Sequence, residues 1–389
     1  MVSTNFAIEL LKNTLEIYTP SRSESQLANF LKDICMDLGF ETANIDSVGN
    51  MVAVRGTGEP IILLCGHMDT VPGIVPVRLE GDYLYGRGAS DAKAPLVSML
   101  LAAADIPKQA GTIIFAAVVD EEGNATGIKN LVKDTTLNPD YAIFGEPSGI
   151  ENITVSYKGR IEIRLMCDVD NSAHASAPRL SLNAIDELYN VWNELKSVFK
   201  EPEVANTKNK ADQISYSITE INGGTSHNVT PQKCRITVDI RIPTKISCGK
   251  VLELIDIRIN EIKDFIKGVK IKYRVEDKTE PFQANVSSPL VRALVLSILE
   301  QRKKRPLLLK KTGTGDMNIL GNILNIPVVT YGPGDPHMSH TVNEKVFVPD
   351  YLTGIEIYKA ALLHMVRLHK NLQEKSNTIN SELDTRHVS

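Results

Sequence analysis

At 389 residues the chain exceeds one ordinary domain, and its length alone suggests two or three. A hydrophobic content of 42% against 23% charged residues excludes a disordered, collagenous or coiled-coil chain. The net charge of −4 lacks the basic excess of nucleic-acid-binding proteins, so no nucleic-acid partner is expected.

The opening residues, MVSTNFAIELLKNTLEIY, are amphipathic and lack the basic start and cleavage site of a signal peptide. The apolar stretches 96–104 and 113–119 are too short to span a bilayer, so no membrane partner is expected. The five cysteines (35, 65, 167, 234 and 248) are odd in number, widely spaced and free of any CxxC. That pattern argues against a disulfide framework or a structural zinc knuckle. It predicts reduced, mostly buried thiols and a cytoplasmic location.

In chain order, Ser21-Arg22-Ser23-Glu24 reads as a capping box before a helix through Leu38, with Gly39 as its stop. The apolar runs 61–65, 113–119 and 141–144 predict strands buried on both faces. Asp91 is placed to cap a helix over 92–104. The middle section reads as strand 161–169, helix 181–200, strands 214–221 and 234–242, helix 250–267 and strand 269–275. This order is β-α-β-β-α-β, a ferredoxin-like split unit. In 234–242 the even positions are apolar and the odd ones Arg, Thr or Asp, so one face is covered and one free. Beyond Pro281 come a helix over 288–302, a Gly-rich turn, a further helix, a buried strand over 326–330 and a last helix over about 350–369. The polar segment 371–389 lacks periodicity and is expected to be a disordered tail. The expected architecture is an α/β catalytic domain (1–153 and 281–370) interrupted by an inserted module at 154–280.

The chemistry-bearing residues follow the buried strands. His67 and Asp69 follow the first run, Glu121 and Glu122 the second and Glu146 the third; His340 follows the last strand. Asp91 sits in the loop Tyr85-Gly86-Arg87-Gly88-Ala89-Ser90-Asp91. Loops at strand C-termini are where open α/β sheets bind ligands. Two histidines and five carboxylates aimed at one rim would repel one another without a cation. A pair of divalent ions removes that conflict, and mixed His and carboxylate ligation suits zinc, cobalt or manganese. One bridging carboxylate lets two ions sit about 3.5–4 Å apart. Asp69, two residues from His67, is positioned to accept the proton of the ring nitrogen that faces away from metal. Glu121 and Glu122 are adjacent and point in different directions, so one can bind metal while the other carries protons. Each motif alone has a bland alternative, a cap, a turn or a solvated pair; their joint occurrence carries the reading.

These stretches, together with Phe144-Gly145-Glu146-Pro147, Asn222-Gly223-Gly224, Asn228-Val229-Thr230-Pro231, Gly332-Pro333-Gly334 and His340-Thr341-Val342-Asn343-Glu344, resemble the M20 family of metallopeptidases and amidohydrolases. The likeness spans roughly residues 5–370. It implies that Asp91 bridges two metal ions, that His67 and Glu146 complete one site, and that Glu122 and His340 complete the other. It implies Glu121 as general base and acid, with Asp69 supporting His67. The inserted module resembles the family's lid and homodimerisation domain, with His174 reaching the partner subunit's active site to stabilise an oxyanion. Asn228, Arg241 and Gly334 match substrate-holding positions. Within the family, residues 88–96 and 311–320 look like the prokaryotic subgroup that releases lysine or ornithine from the carrier protein LysW in amino-acid biosynthesis. The alternatives are release of acetyl or succinyl groups from free ornithine or diaminopimelate, and carboxypeptidase or dipeptidase activity. Lys93, Lys158, Arg160, Arg179, Lys310 and Lys311 are expected to form a basic rim toward an acidic carrier.

Overall fold

A computed structural model describes residues 3–200 and 209–386. They fall into two compact units: Met1–Val155, Ala284–Leu309 and Ile319–Ser389 in one, and Ser156–Gln283 and Lys310–Asn318 in the other. The first unit opens with α1 (Thr4–Glu16), capped by the Ser3 hydroxyl, which accepts the Phe6 N–H at 3.2 Å. Its buried residues Ala7, Leu10, Leu11, Thr14 and Leu15 follow amphipathic helical spacing. In α2 (Ser25–Asp37) the expected capping box is absent, since Glu24 makes no side-chain bond to the helix. Ser21 and Glu24 instead bond to Asp69 and to the Asp120 amide, far along the chain.

Strands β1 (Thr42–Ile45), β2 (Met51–Arg55) and β3 (Ile61–His67) lead to α3 (Lys93–Ala104). All of α3 except Ala104 is buried, as suits a helix that is apolar all round. Asp91 does not cap it: the cap residue is Ala92, and the Asp91 carboxylate faces two imidazoles instead. Then come β4 (Thr112–Val118), α4 (Thr126–Leu131), β5 (Tyr141–Gly145) and β6 (Asn152–Tyr157).

The second unit runs β7 (Gly159–Val169), α5 (Ala184–Leu195), β8 (Ser215–Gly223), β9 (Lys233–Ile242), α6 (Cys248–Phe265) and β10 (Val269–Thr279). Its sheet is antiparallel throughout, in the order β8-β9-β7-β10. Strict alternation of buried and half-buried residues along β7 puts Ile161, Ile163, Leu165 and Cys167 on the core face. They pack with Leu188, Trp192, Val251 and Ile255 of the two helices. Residues 310–318, read from sequence as part of the last section, belong here. The Thr314 hydroxyl and the Asn318 amide donate to the Lys158 carbonyl at 2.8 and 3.1 Å.

The chain then supplies α7 (Pro289–Arg302), β11 (Val328–Tyr331) and α8 (Val348–Arg386) to the first unit. Among the described residues the completed sheet is mixed and has nine strands, seven of which run β1-β2-β4-β3-β5-β11-β6. β4, β3, β5 and β11 are mutually parallel, and the outer pairs are antiparallel. Parallel strands end on the same side, so the loops after β3, β4, β5 and β11 meet at one rim. The segment expected as a disordered tail is instead helical to Arg386. No Gly or Pro interrupts 355–386, and extending a helix already nucleated against the core costs little per residue. Gln373 also donates to Glu59, tying that extension back to the unit. Among the described residues no helix is long and apolar enough to cross a membrane.

Trp192, the only tryptophan, packs against Phe199 and Tyr216 in the second unit's core. Its fluorescence therefore reports that unit. Leu165 is fully buried there, so Leu165→Ala is expected to lower the stability read from Trp192 in urea by about 2–5 kcal/mol. An unchanged midpoint would show that the site lies outside the core.

Candidate two-metal active site

The rim gathers His67, Asp91, Glu121, Glu122, Glu146 and His340 into two adjoining groups of possible ligands. In the first, donor atoms of His67, Glu121 and Glu146 lie within 4.8 Å of one another; in the second, those of Asp91, Glu122 and His340 do. Asp91 joins them. Its Oδ1 lies 3.4 Å from His67 Nε2 and its Oδ2 lies 3.4 Å from His340 Nε2. Glu146 Oε1 is 3.5 Å from His67 Nε2, and Glu122 Oε1 is 2.7 Å from His340 Nε2.

His67 is fully buried at the end of β3, and its Nε2 makes no hydrogen bond. Its Nδ1 donates to the Asp69 carbonyl at 2.9 Å, which directs Nε2 toward Asp91 and Glu146. The Asp69 carboxylate also faces this ring, its Oδ1 3.5 Å from Nδ1, while the main-chain carbonyl accepts the Nδ1 proton. The carboxylate has a further part. Oδ1 accepts the Glu121 N–H at 3.0 Å; Oδ2 accepts the Glu122 N–H at 3.0 Å and the Ser21 hydroxyl at 2.7 Å. Asp69 thus clamps the loop that carries the two glutamates.

A second clamp holds Asp91. Glu344, buried, accepts the N–H groups of Ser90 and Asp91 on one oxygen, at 3.0 and 2.9 Å, and the Arg87 guanidinium on the other at 2.8 Å. Arg87, Glu344, Ser21 and Glu24 were not singled out as site residues from sequence. Glu344 sits four residues beyond His340 in a stretch already matched, which was the available signal; Ser21 and Glu24 were hidden behind their local cap pattern. Gly334 has φ +122°, and a side chain there would press on Ser90 and Pro147. Its observed place is a close backbone approach beside the Asp91 and Glu146 loops.

The electrostatics express the crowding of acids. Burial raises Glu121 to about 7 and Glu146 well above the carboxylate range, and nearby acids add to both. Burial also raises Glu122. Burial opposes ionisation of Asp91, yet the imidazoles of His340 and His67 beside it hold it below its ordinary value. Burial pulls His67 down, but Asp69 and Asp91 hold it well above the usual imidazole range. The carboxylates of Asp91 and Glu122 raise His340 to about 9. Protons thus balance part of a negative cluster whose geometry, with one orphaned buried imidazole nitrogen, suits divalent cations.

His174, Asn228 and Arg241 lie in the second unit. His174 and Asn228 share a corner there: residue 174 pairs with Val229, and the Ala175 N–H donates to the Asn228 carbonyl at 2.8 Å. His174 is exposed, and its Nδ1 receives the Ser176 N–H at 3.2 Å, which leaves Nε2 as the protonated donor nitrogen of the neutral ring. Arg241 is half-buried on the sheet's free face, bonded to Asp239 at 2.6 Å and to Thr314 at 3.1 Å. The expected basic rim is not formed as drawn. Lys93 is buried and donates to the Thr14 and Ile17 carbonyls at 3.2 and 2.6 Å, with burial lowering its pKa to about 7. Lys158 is buried, and Arg160 is committed to Asp239, Glu162 and Asp277. All five cysteines are buried, and none forms a disulfide.

A model of the peptidase family M20/M25/M40 matches residues 63–364, and the chain belongs to that family. Among its relatives, a Saccharolobus solfataricus LysW-lysine/LysW-ornithine hydrolase is 33% identical over 361 residues, 92% of this chain and 95% of that protein. A Thermococcus kodakarensis protein given the same designation provisionally is 36% identical over 357 residues, 92% of this chain and 91% of its own. The fold is also that of an M20 metallo-carboxypeptidase, Sso-CP2 from Sulfolobus solfataricus, with a TM-score of 0.75 at 19% identity, covering 92% of this chain and 99% of that one. The chain is a hydrolase of this family.

The metal-free protein should show a distinctive pH response. Glu121 rises from 4.5 to about 7 on folding, and His340 from 6.5 to about 9. Each binds its proton more tightly when folded, so each contributes stability below its unfolded value and loses it as pH rises through its folded value. Asp69 and Asp91 are held low and act in the opposite sense only at acid pH. The melting temperature of metal-free protein should therefore fall from about pH 5 to pH 9, and excess zinc or cobalt should abolish the fall. A flat profile without metal would contradict this proton balance.

Proposed function

We propose that this chain is a two-metal amidohydrolase that releases lysine or ornithine from the side-chain carboxyl of a carrier protein's terminal glutamate. The observation that carries the chemistry is Asp91, with one oxygen turned to each of two histidine Nε2 atoms at 3.4 Å. The substrate class is supported by the designations of relatives at 33% and 36% identity that align with 92% of the chain.

Asp91 would bridge two divalent ions, with His67 and Glu146 on one and Glu122 and His340 on the other. Zinc suits this donor set best, and cobalt or manganese would also fit. Such a pair acidifies a water and polarises the scissile carbonyl. Glu121 lies among the donors of the first group, so the geometry permits it as ligand or as base. The base is the better assignment. The other five residues already complete both sites, and burial raises its pKa to about 7, near the optimum for proton transfer at neutral pH. Glu121 takes the proton of the attacking water and delivers it to the leaving α-amine. In this reading the second unit is a ferredoxin-like lid and homodimerisation domain inserted at 154–280. His174 Nε2–H donates to the oxyanion in the partner's site, while Asn228 and Arg241 hold the substrate, Arg241 as a carboxylate clamp. Gly334 lets the substrate backbone approach the rim. Buried thiols that form no disulfide fit a cytoplasmic enzyme.

Glu121→Gln should retain two bound metals and lose about 10²–10⁴-fold in kcat, read by metal analysis beside a steady-state assay. Near-normal turnover would remove Glu121 from proton transfer. Incubating zinc- or cobalt-loaded protein with LysW-lysine, LysW-ornithine, N-acetylornithine and N-succinyl-diaminopimelate, and identifying the released amine, tests the substrate. Hydrolysis confined to the free acyl amino acids would overturn the carrier assignment. His174→Ala mixed with Glu121→Gln should recover activity in proven heterodimers, and its absence there would refute sharing across subunits.

A further inference from the structure

We infer that Glu24 is a positioning residue for Glu121, holding the turn at Asp120 from which the proposed base projects. The inference rests on the reading of Glu121 as proton carrier. Glu24 is 4% exposed, and its Oε1 accepts the Asp120 N–H at 3.0 Å and the Arg22 N–H at 2.9 Å. Asp120 has φ +59°, a left-handed conformation that is unfavourable for a non-glycine residue and persists only where the surroundings enforce it. The turn is gripped from several sides. The Asp120 carbonyl accepts the Ala125 N–H at 2.7 Å, its Oδ2 accepts the Thr126 hydroxyl at 2.8 Å, and its Oδ1 leaves no room for a side chain at Gly123.

The next two amides, of Glu121 and Glu122, bond to Asp69. Three successive N–H groups thus point into two buried carboxylates, one into Glu24 and two into Asp69. With the amides fixed, the side chains take defined directions: Glu122 meets His340, and Glu121 joins His67 and Glu146. Variants of Asp69 cannot separate loop position from the metal site, because its carboxylate also faces His67, with Oδ1 3.5 Å from Nδ1. Glu24 belongs to neither ligand group, so it is the clean probe.

The bond needs an acceptor oxygen rather than a charge, which Gln also offers. In the full-length, metal-loaded protein, Glu24→Ala should lower kcat about 10²-fold, as sub-ångström misplacement of a reacting group does, with KM and metal content unchanged. Amide hydrogen exchange at 120–122 should quicken. Glu24→Gln should restore both kcat and exchange protection. If Glu24→Ala does not fold, Glu24→Asp, one methylene too short to reach the Asp120 amide, should show the same kcat loss. Three results would overturn the inference: normal kcat despite faster exchange, loss of metal alongside kcat, or a Gln variant as impaired as Ala. Glu121→Gln run in parallel separates the two levels. If it turns over normally, the base assignment has failed and takes this inference with it; if it is inactive while Glu24→Ala is normal, only the positioning role has failed.

Discussion

Four carboxylates and two imidazoles share one rim, and the repulsion among the carboxylates is the constraint around which the first unit is built. A folded chain tolerates such a cluster only by retaining protons or by binding cations. The first response is visible here. Burial pushes Glu121, Glu122 and Glu146 upward, while Asp91 stays low because an imidazole faces each of its oxygens. The same arrangement that makes the cluster uncomfortable as bare protein offers two adjoining groups of donor atoms that could hold metal ions.

Keeping those groups in place falls to a recurring device, a buried carboxylate receiving main-chain N–H groups. Asp69 holds Glu121 and Glu122, Glu344 holds Ser90 and Asp91, and Glu24 holds Asp120. Charge-assisted bonds of this kind are stronger than neutral ones and gain further from low local dielectric. They let loops rather than strands or helices carry the reactive groups without loss of precision. The left-handed backbone at Asp120 and His340 belongs with them, as conformations sustained by neighbours rather than by local preference.

The sheet determines where these loops meet. Four parallel strands, each buried across both faces, end on one side, and the fully buried α3 begins immediately after the Asp91 loop. The second unit contributes a different surface, an antiparallel sheet with a charged free face where Arg160, Asp239 and Arg241 interlock. Its exposed His174 carries a tautomer set by the Ser176 amide, an arrangement suited to donating a hydrogen bond from Nε2.

Apolar runs and period-two alternation were sufficient to read the buried strands 61–65 and 141–144 and the alternating strand 234–242 from the sequence. They were sufficient because burial on one face or two leaves its mark residue by residue. Acids and histidines placed just after those strands announced the site, and chain order revealed that strand ends would carry it. Sequence could not show which atom does what. Ser21-x-x-Glu24 and Asp91 looked like helix caps, because that is the nearest use of a short polar side chain; each found a distant partner instead, Asp69, the Asp120 amide and the two imidazoles. Lys93 and Lys158 looked like surface charge, yet their ammonium groups are buried against main-chain carbonyls. The polar end of α8 looked formless, yet it continues a helix nucleated upstream. Local pattern determined the elements; long-range hydrogen bonds, formed only once the chain had folded back on itself, decided the roles.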